Sequence, residues 1–186
     1  RRKLAVRLDE PTDDYSQARW VTRMARMAAV DYRADWVINN DADEFWVGSS
    51  SAGLKRDLAA VPPDVQSLLV PRFNFVPVDF AGAGFFAERM TLRERQSYNS
   101  EGQPLPPKAC HRACPDIEVD QGNHQVRRSG TPMPAAPSSL RILHYPLRSY
   151  RQFENKITRG GAAYARNTEL PEGVGRTWRN LYKLYR

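Results

Sequence analysis

Apolar and polar positions change period several times along the chain, and each change marks an element. From Thr12, an N-cap by residue type, the chain carries Val21, Met24, Met27 or Ala28, and Tyr32 at helical spacing. Asp13 and Asp14 fall in the first turn, where the helix dipole favours anions. This predicts an amphipathic helix of about five turns. The "DWVI" of 35–38 reads as a short buried strand. "SSSAGLKRDLAAVPPD" then offers a serine cap, Leu54, Leu58 and Val61 at i, i+4 and i+7, and a Pro-Pro stop.

"VQSLLVPRFNFVPVDF" is rich in β-branched and aromatic residues, and its prolines suggest an edge or bulged strand. "GAGFFAERMTLRER" reads as loop and strand, and "SEGQPLPPKAC" as loop. In "PDIEVDQGNHQV", Ile117 and Val119 face one way while Asp116, Glu118 and Asp120 face the other. That is strand alternation ending in a Gly-Asn turn. "RRSGTPMPAAPSS" is a surface loop by composition, and "LRILHYPL" is a strand that stops at Pro146. In "SYRQFENKITRGGAAYARN", Ser149 and Gln152 stand in capping-box spacing and Tyr150, Phe153 and Ile157 share a face, giving a helix expected to fray or end near Gly160 and Gly161. From Arg176, Trp178, Leu181, Tyr182 and Tyr185 stand beside Arg179, Lys183 and Arg186, a basic amphipathic helix. Strands interleaved with helices predict an α/β protein with a mixed sheet flanked by helices, and no internal repeat is visible.

The length, 186 residues, predicts one soluble domain over 1–186. No apolar run approaches the ~20 residues of a membrane span, and no signal-peptide pattern opens the chain. Without an initiating Met, and with "NLYKLYR" stopping in mid-pattern, the expectation is a piece of a longer protein, cut at both ends. Charge is unevenly placed: 16 basic and 18 acidic side chains lie in 1–126, against 12 and 3 in 127–186. The positive last third points to an anionic partner or to a basic solvated face. Cys110 and Cys114, with His111 between them, lack the second Cys/His pair that a closed zinc site takes, which favours two ordinary cysteines in a reduced, intracellular protein.

The candidate chemistry lies in "DWVINNDADEFWVG". A strand running into Asp41-Ala42-Asp43 sets two carboxylates at its carboxyl end, where open α/β folds bind ligands. Oxygen ligands select a hard cation, Mn²⁺ or Mg²⁺, and few protein ligands leave coordination positions for phosphates. Glu44 is placed to orient the pair or to coordinate through water. Phe45 and Trp46 would anchor the loop or line a sugar or base pocket. The bland alternative is an acidic turn capping the next helix.

The motif resembles the metal-binding motif of GT-A fold glycosyltransferases, particularly the family-2-like bacterial enzymes. "PRFNFVPVDF", "ERMTLRER", "PKACHRACPDIEVDQGNHQV" and "ILHYPLRSYRQFENKITRGGAAY" resemble later blocks of that family in order, so the likeness spans roughly residues 14 to 166. In GT-A enzymes the nucleotide-binding strands precede the D-x-D strand, whereas only residues 1–40 stand before Asp41. The resemblance therefore implies a GT-A-like, partial Rossmann-like domain truncated at its N-terminus. Residues 1–48 would close the nucleotide and metal half, 49–148 would form the acceptor half, and 149–186 the C-terminal basic helices.

It also implies roles. Asp41 and Asp43 would hold the metal on the donor diphosphate, with His144 as a C-terminal metal ligand, and Arg148 and Lys156 would neutralise the departing diphosphate. For an inverting transfer the candidate bases are Asp116, Glu118 and His124, and Lys108, His111 and Arg112 are candidates for contact with an anionic acceptor. The implied activity is transfer of a sugar from a nucleotide-sugar donor to a saccharide or lipid-linked acceptor in surface polysaccharide biosynthesis. Its expected setting is cytoplasmic, at the inner face of the membrane, with the basic C-terminal helix on an anionic surface and no specific nucleic acid. Three rivals weigh less, one of them a catalytically silent, glycosyltransferase-like binding domain. A Mg-dependent phosphohydrolase wants Thr or Val where Phe45 stands, and a nucleic-acid or polyanion-binding module accounts for the basic tail but not for the acids.

Overall fold

A computed structural model describes residues 5–10, 14–49, 53–78, 84–171 and 173–186. The chain runs α1 (Gln17–Val30), β1 (Trp36–Ile38), β2 (Glu44–Val47), α2 (Leu54–Ala59), β3 (Ser67–Val70), β4 (Arg72–Asn74) and α3 (Phe86–Arg89). It continues β5 (Lys108–Arg112), β6 (Ile117–Val119), β7 (Val126–Arg128), β8 (Thr131–Pro132), β9 (Ala135–Pro137), β10 (Arg141–His144), α4 (Tyr150–Arg166) and α5 (Arg176–Tyr185).

The architecture is mixed α/β, with its strands divided among three small sheets ordered β1-β5-β3-β9, β2-β10-β4 and β6-β7-β8. Pairings are antiparallel except β3–β9 and β4–β10. At Pro71 the chain leaves the first sheet and enters the second, a place for a residue with no backbone N–H to give. Leu58, Leu68, Val70, Cys110, Leu140 and Ile142 form one apolar cluster; Ala25, Ala109, Ile117, Val119 and Val126 form another. Neighbouring residues of β5, Ala109 and Cys110, join different clusters, so this strand is covered on both faces.

Several expectations change. Thr12, Asp13, Ser50 and Ser51 lie outside the described residues, and α1 starts only at Gln17, after Tyr15 turns the chain at φ +57°. Its inward stripe is Val21 and Ala25, while Met24 and Tyr32 are exposed. Thr22 and Arg26, one turn apart, instead bond the edge of β6: the Thr22 hydroxyl accepts from Val119 N–H (2.9 Å) and Arg26 Nε donates to the Ile117 carbonyl (2.7 Å). The segment 86–89 is a short helix, and the loop of 127–139 contributes β8 and β9.

The Ser149 cap forms, its hydroxyl accepting from Gln152 N–H (3.1 Å), but α4 does not fray at Gly160-Gly161. It runs on to Arg166 because these glycines sit under α5: a Cβ at Gly161 would collide with Tyr182, and one at Gly160 would meet the Trp178 ring at 3.8 Å. Tertiary packing outweighs the intrinsic helix penalty of glycine, ~1 kcal/mol each.

Candidate functional site

The acids sit in the turn from β1 to β2, closed by Glu44 N–H donating to the Asp41 carbonyl (3.1 Å). The two sheets meet here, and the turn receives residues from distant parts of the chain. Asp41 accepts from Lys108 Nζ (2.5 Å), Gln17 Nε2 (3.1 Å) and Asn123 Nδ2 (3.3 Å). Asn123 reaches it from two successive left-handed residues, Gly122 (φ +82°) and Asn123 (φ +61°); the latter is an uncommon conformation for a residue with a Cβ. Glu44 is buried and lies 3.5 Å from Lys108 Nζ and 3.4 Å from an Arg72 guanidinium nitrogen. Burial raises the Glu44 carboxyl above its usual range against the pull of Lys108, and burial lowers Arg72.

Asp43 is engaged on its other flank. Lys156, from α4, donates to its carboxylate at 2.5 Å, and Nε2 of His144, from the end of β10, stands 3.8 Å from the same oxygen. Its backbone carbonyl accepts from Tyr145 N–H (2.9 Å). Burial alone would raise the Asp43 carboxyl, but the Lys156 ammonium holds it below the ordinary carboxylate value. Burial pushes His144 down to about 4, so its imidazole is neutral near neutral pH. Lys156 also lies 5.1 Å from the centre of the Trp178 ring, which ties α5 to the site.

Of the expected metal-ligand trio Asp41, Asp43 and His144, the fold faces Asp43 with His144 and turns Asp41 toward Lys108. Among the described residues no group of three His, Cys, Asp or Glu side chains gathers to hold a metal ion. Of the expected cations, Lys156 reaches the turn. Arg148 lies over Phe86 (4.9 Å), in an aromatic cluster with Phe45 and Tyr145, and its buried Nε has no protein partner among the described residues. Phe45 joins this cluster, while Trp46 packs against the first apolar cluster.

The candidate bases separate. Asp116 is on the outer hairpin, paired with Arg128 (3.1 Å) and Ser129 (2.9 Å), which hold its carboxyl low. Glu118 lines a groove of about 1130 Å³ between α1 and β6. His124 is next to Asn123 and donates from Nδ1 to the Pro107 carbonyl (2.8 Å); burial lowers it to about 4. Of the residues expected at an anionic acceptor, Lys108 and His111 are buried. Arg112 bonds the carbonyls of Val61, Pro62 and Val65 and covers Trp36. Their surroundings make all three parts of the framework. Sequence reasoning missed Gln17, Asn123, Asn74 and Arg72; the available signal was an asparagine, Asn74, within a strand, where that residue type is depleted.

All three histidines are pushed down by burial, His111 as well as His124 and His144, and give stability a pH dependence. His124 and His144 each fall from 6.5 to about 4 on folding. Their contribution is therefore present above pH 6.5 and is lost as pH falls through the folded values, because the unfolded chain takes up protons that the folded one refuses. Urea unfolding should show stability falling by up to ~1.4 kcal/mol per pH unit per histidine within this window, and His124→Gln with His144→Gln should flatten the slope. An equally steep slope in the double variant would refute the assignment.

No family model matches the chain, and neither a curated protein nor a solved structure matches it.

Proposed function

We propose that the chain is a metal-dependent glycosyltransferase domain of GT-A type, moving a sugar from a nucleotide-diphosphate sugar to a saccharide or lipid-linked acceptor in surface polysaccharide assembly. The observation that carries this reading is the convergence of a D-x-D carboxylate, a neutral imidazole and a lysine at Asp43, from residues 43, 144 and 156. Mixed nitrogen and oxygen donors suit Mn²⁺, and Mg²⁺ less well. Asp43 and His144 Nε2 would hold the ion, with Asp41 joining if it gives up Lys108, while water and donor phosphates complete the shell. When bound, the ion supplies positive charge to the departing diphosphate.

The chain's own residues support the rest. Lys156 lies beside Asp43 and adds a second positive charge for the phosphates, and Arg148 offers a guanidinium next to the aromatic cluster. Among the candidate bases, His124 adjoins Asn123, which bonds Asp41, and is bare at Nε2 because its Nδ1 hydrogen goes to Pro107. No helix among the described residues is long and apolar enough to cross a membrane. A peripheral setting at the cytoplasmic face would use α5, where Lys183 and Leu184 are exposed. Part of the basic tail is paired within the protein, Arg176 with Glu101 (2.7 Å) and Arg179 over Tyr164, which weakens the polyanion-binding alternative.

The deciding experiment is calorimetric titration of the 186-residue chain with nucleoside diphosphates, with and without Mn²⁺, followed by a panel of nucleotide sugars. Metal-dependent diphosphate binding and release of nucleotide from one donor sugar are expected. Metal-independent binding of oligonucleotides, with no response to any nucleotide sugar, would sink the reading. For the membrane setting, co-sedimentation with vesicles should rise with anionic lipid content, and indifference to it removes that part.

A further inference from the structure

We infer that Asn74 is a positioning residue for His144: it fixes the imidazole with its hydrogen on Nδ1 and so aims the Nε2 lone pair at the Asp43 side of the turn. The inference deepens the proposed function and rests on it for the use made of that lone pair.

The backbone sets up the contact. β4 and β10 pair in parallel, with Asn74 in register with His144, so both side chains leave the sheet on the same face. Asn74 Oδ1 stands 2.7 Å from His144 Nδ1. The orientation of the amide follows from its other partners: Nδ2 faces Glu94 Oε2 (3.0 Å) and the Tyr98 carbonyl (2.9 Å), both acceptors. The NH₂ group must therefore point at them, Oδ1 must point at the imidazole, and the hydrogen of that bond can come only from Nδ1. The backbone of Asn74 is held as well, its N–H donating to Ser97 Oγ (2.8 Å) and its carbonyl accepting from Glu94 N–H (2.9 Å). Asn74 and Ser97 are both buried, so water does not compete readily for these bonds. In its neutral form, an imidazole with hydrogen on Nδ1 leaves Nε2 bare, and Nε2 is the atom that faces Asp43.

The test reads the tautomer in the metal-free protein. In the ¹⁵N-labelled 186-residue chain, long-range proton–nitrogen correlation reports which ring nitrogen carries hydrogen, and His144→Gln identifies the His144 signals. This assignment is needed because His111 and His124 also direct Nδ1 at carbonyls. His144 is expected with hydrogen on Nδ1. Asn74→Leu, which removes the acceptor at similar size, should move the hydrogen to Nε2 and weaken Mn²⁺ binding, followed by electron paramagnetic resonance, by ~10–100-fold. Hydrogen on Nε2 of His144 in the unaltered protein overturns the inference even if Asn74→Leu fails to fold, and an unchanged tautomer in a folded Asn74→Leu overturns it too. Failure of the unaltered protein to bind Mn²⁺ would sink the metal reading instead, because the tautomer is measured without metal.

Discussion

Lys108→Met should cost about 3 kcal/mol of folding stability, the lower end of the range for removing one partner of a buried ion pair. The side chain of Lys108 is 2% exposed, and it holds Asp41 at 2.5 Å and Glu44 at 3.5 Å. Methionine fills a similar volume but leaves Glu44, itself buried, with one cation, Arg72, and that remaining contact keeps the expected loss at the low end. The deficit should shrink as pH falls, because the carboxyl of Glu44 titrates above its usual range and neutralises early. Glu44→Gln added to Lys108→Met should recover part of the loss. Urea denaturation at several pH values measures all of this, and a single-variant loss under ~1 kcal/mol, the surface-pair level, would show that the cluster is hydrated instead of buried.

Asp43→Asn is expected to have the opposite profile, a large functional effect with a smaller structural one. Its partner Lys156 has a side chain 29% exposed and so keeps access to water when the carboxylate is removed, which holds the stability loss below the ~3 kcal/mol of a fully buried pair. On the proposed reading, Mn²⁺ affinity and sugar transfer both fall by more than ~100-fold, beyond the range usual for changes that only support a ligand. Mn²⁺ titration and transfer assays on the purified variant, beside its thermal melt, check both halves. Undiminished Mn²⁺ affinity would remove Asp43 from the metal site. On the proposed reading, the two variants separate the flanks of one turn: the Lys108 flank holds the fold, and the Asp43 flank faces the chemistry.

Local signals in the sequence carried well where one residue type has one physical use. Ser149 caps α4, Pro146 follows the end of β10, and the alternation of Ile117 and Val119 matches their burial in β6. They failed where a distant element decides. Gly160 and Gly161 read as a helix end until α5 packs against them. Strand β5, buried on both faces, has no alternation to detect, and Lys108 and His111 disguise its apolar character. The site was half legible for the same reason. D-x-D and the late histidine have recognisable types and settings, so their juxtaposition could be expected; that Lys108 would claim Asp41, or that Asn74 would face His144, depends on register between strands far apart in the chain. Hairpin residues such as Asp116 qualified by chemistry alone and are used by the fold in an ion pair.

The spans of these contacts bear on how the protein folds. Asp43 and Lys156 are 113 positions apart, His144 and Asn74 are 70, and Lys108 and Asp41 are 67. Each closes a long loop whose entropy must be met before the contact returns anything, so high contact order is built into the turn itself. The acidic turn is closed by a local bond, Glu44 N–H to the Asp41 carbonyl, whereas its lysines and histidine come from β5, β10 and α4. On the proposed reading, the binding residues come together only through these long-range contacts, so ligand affinity would report on completion of the fold.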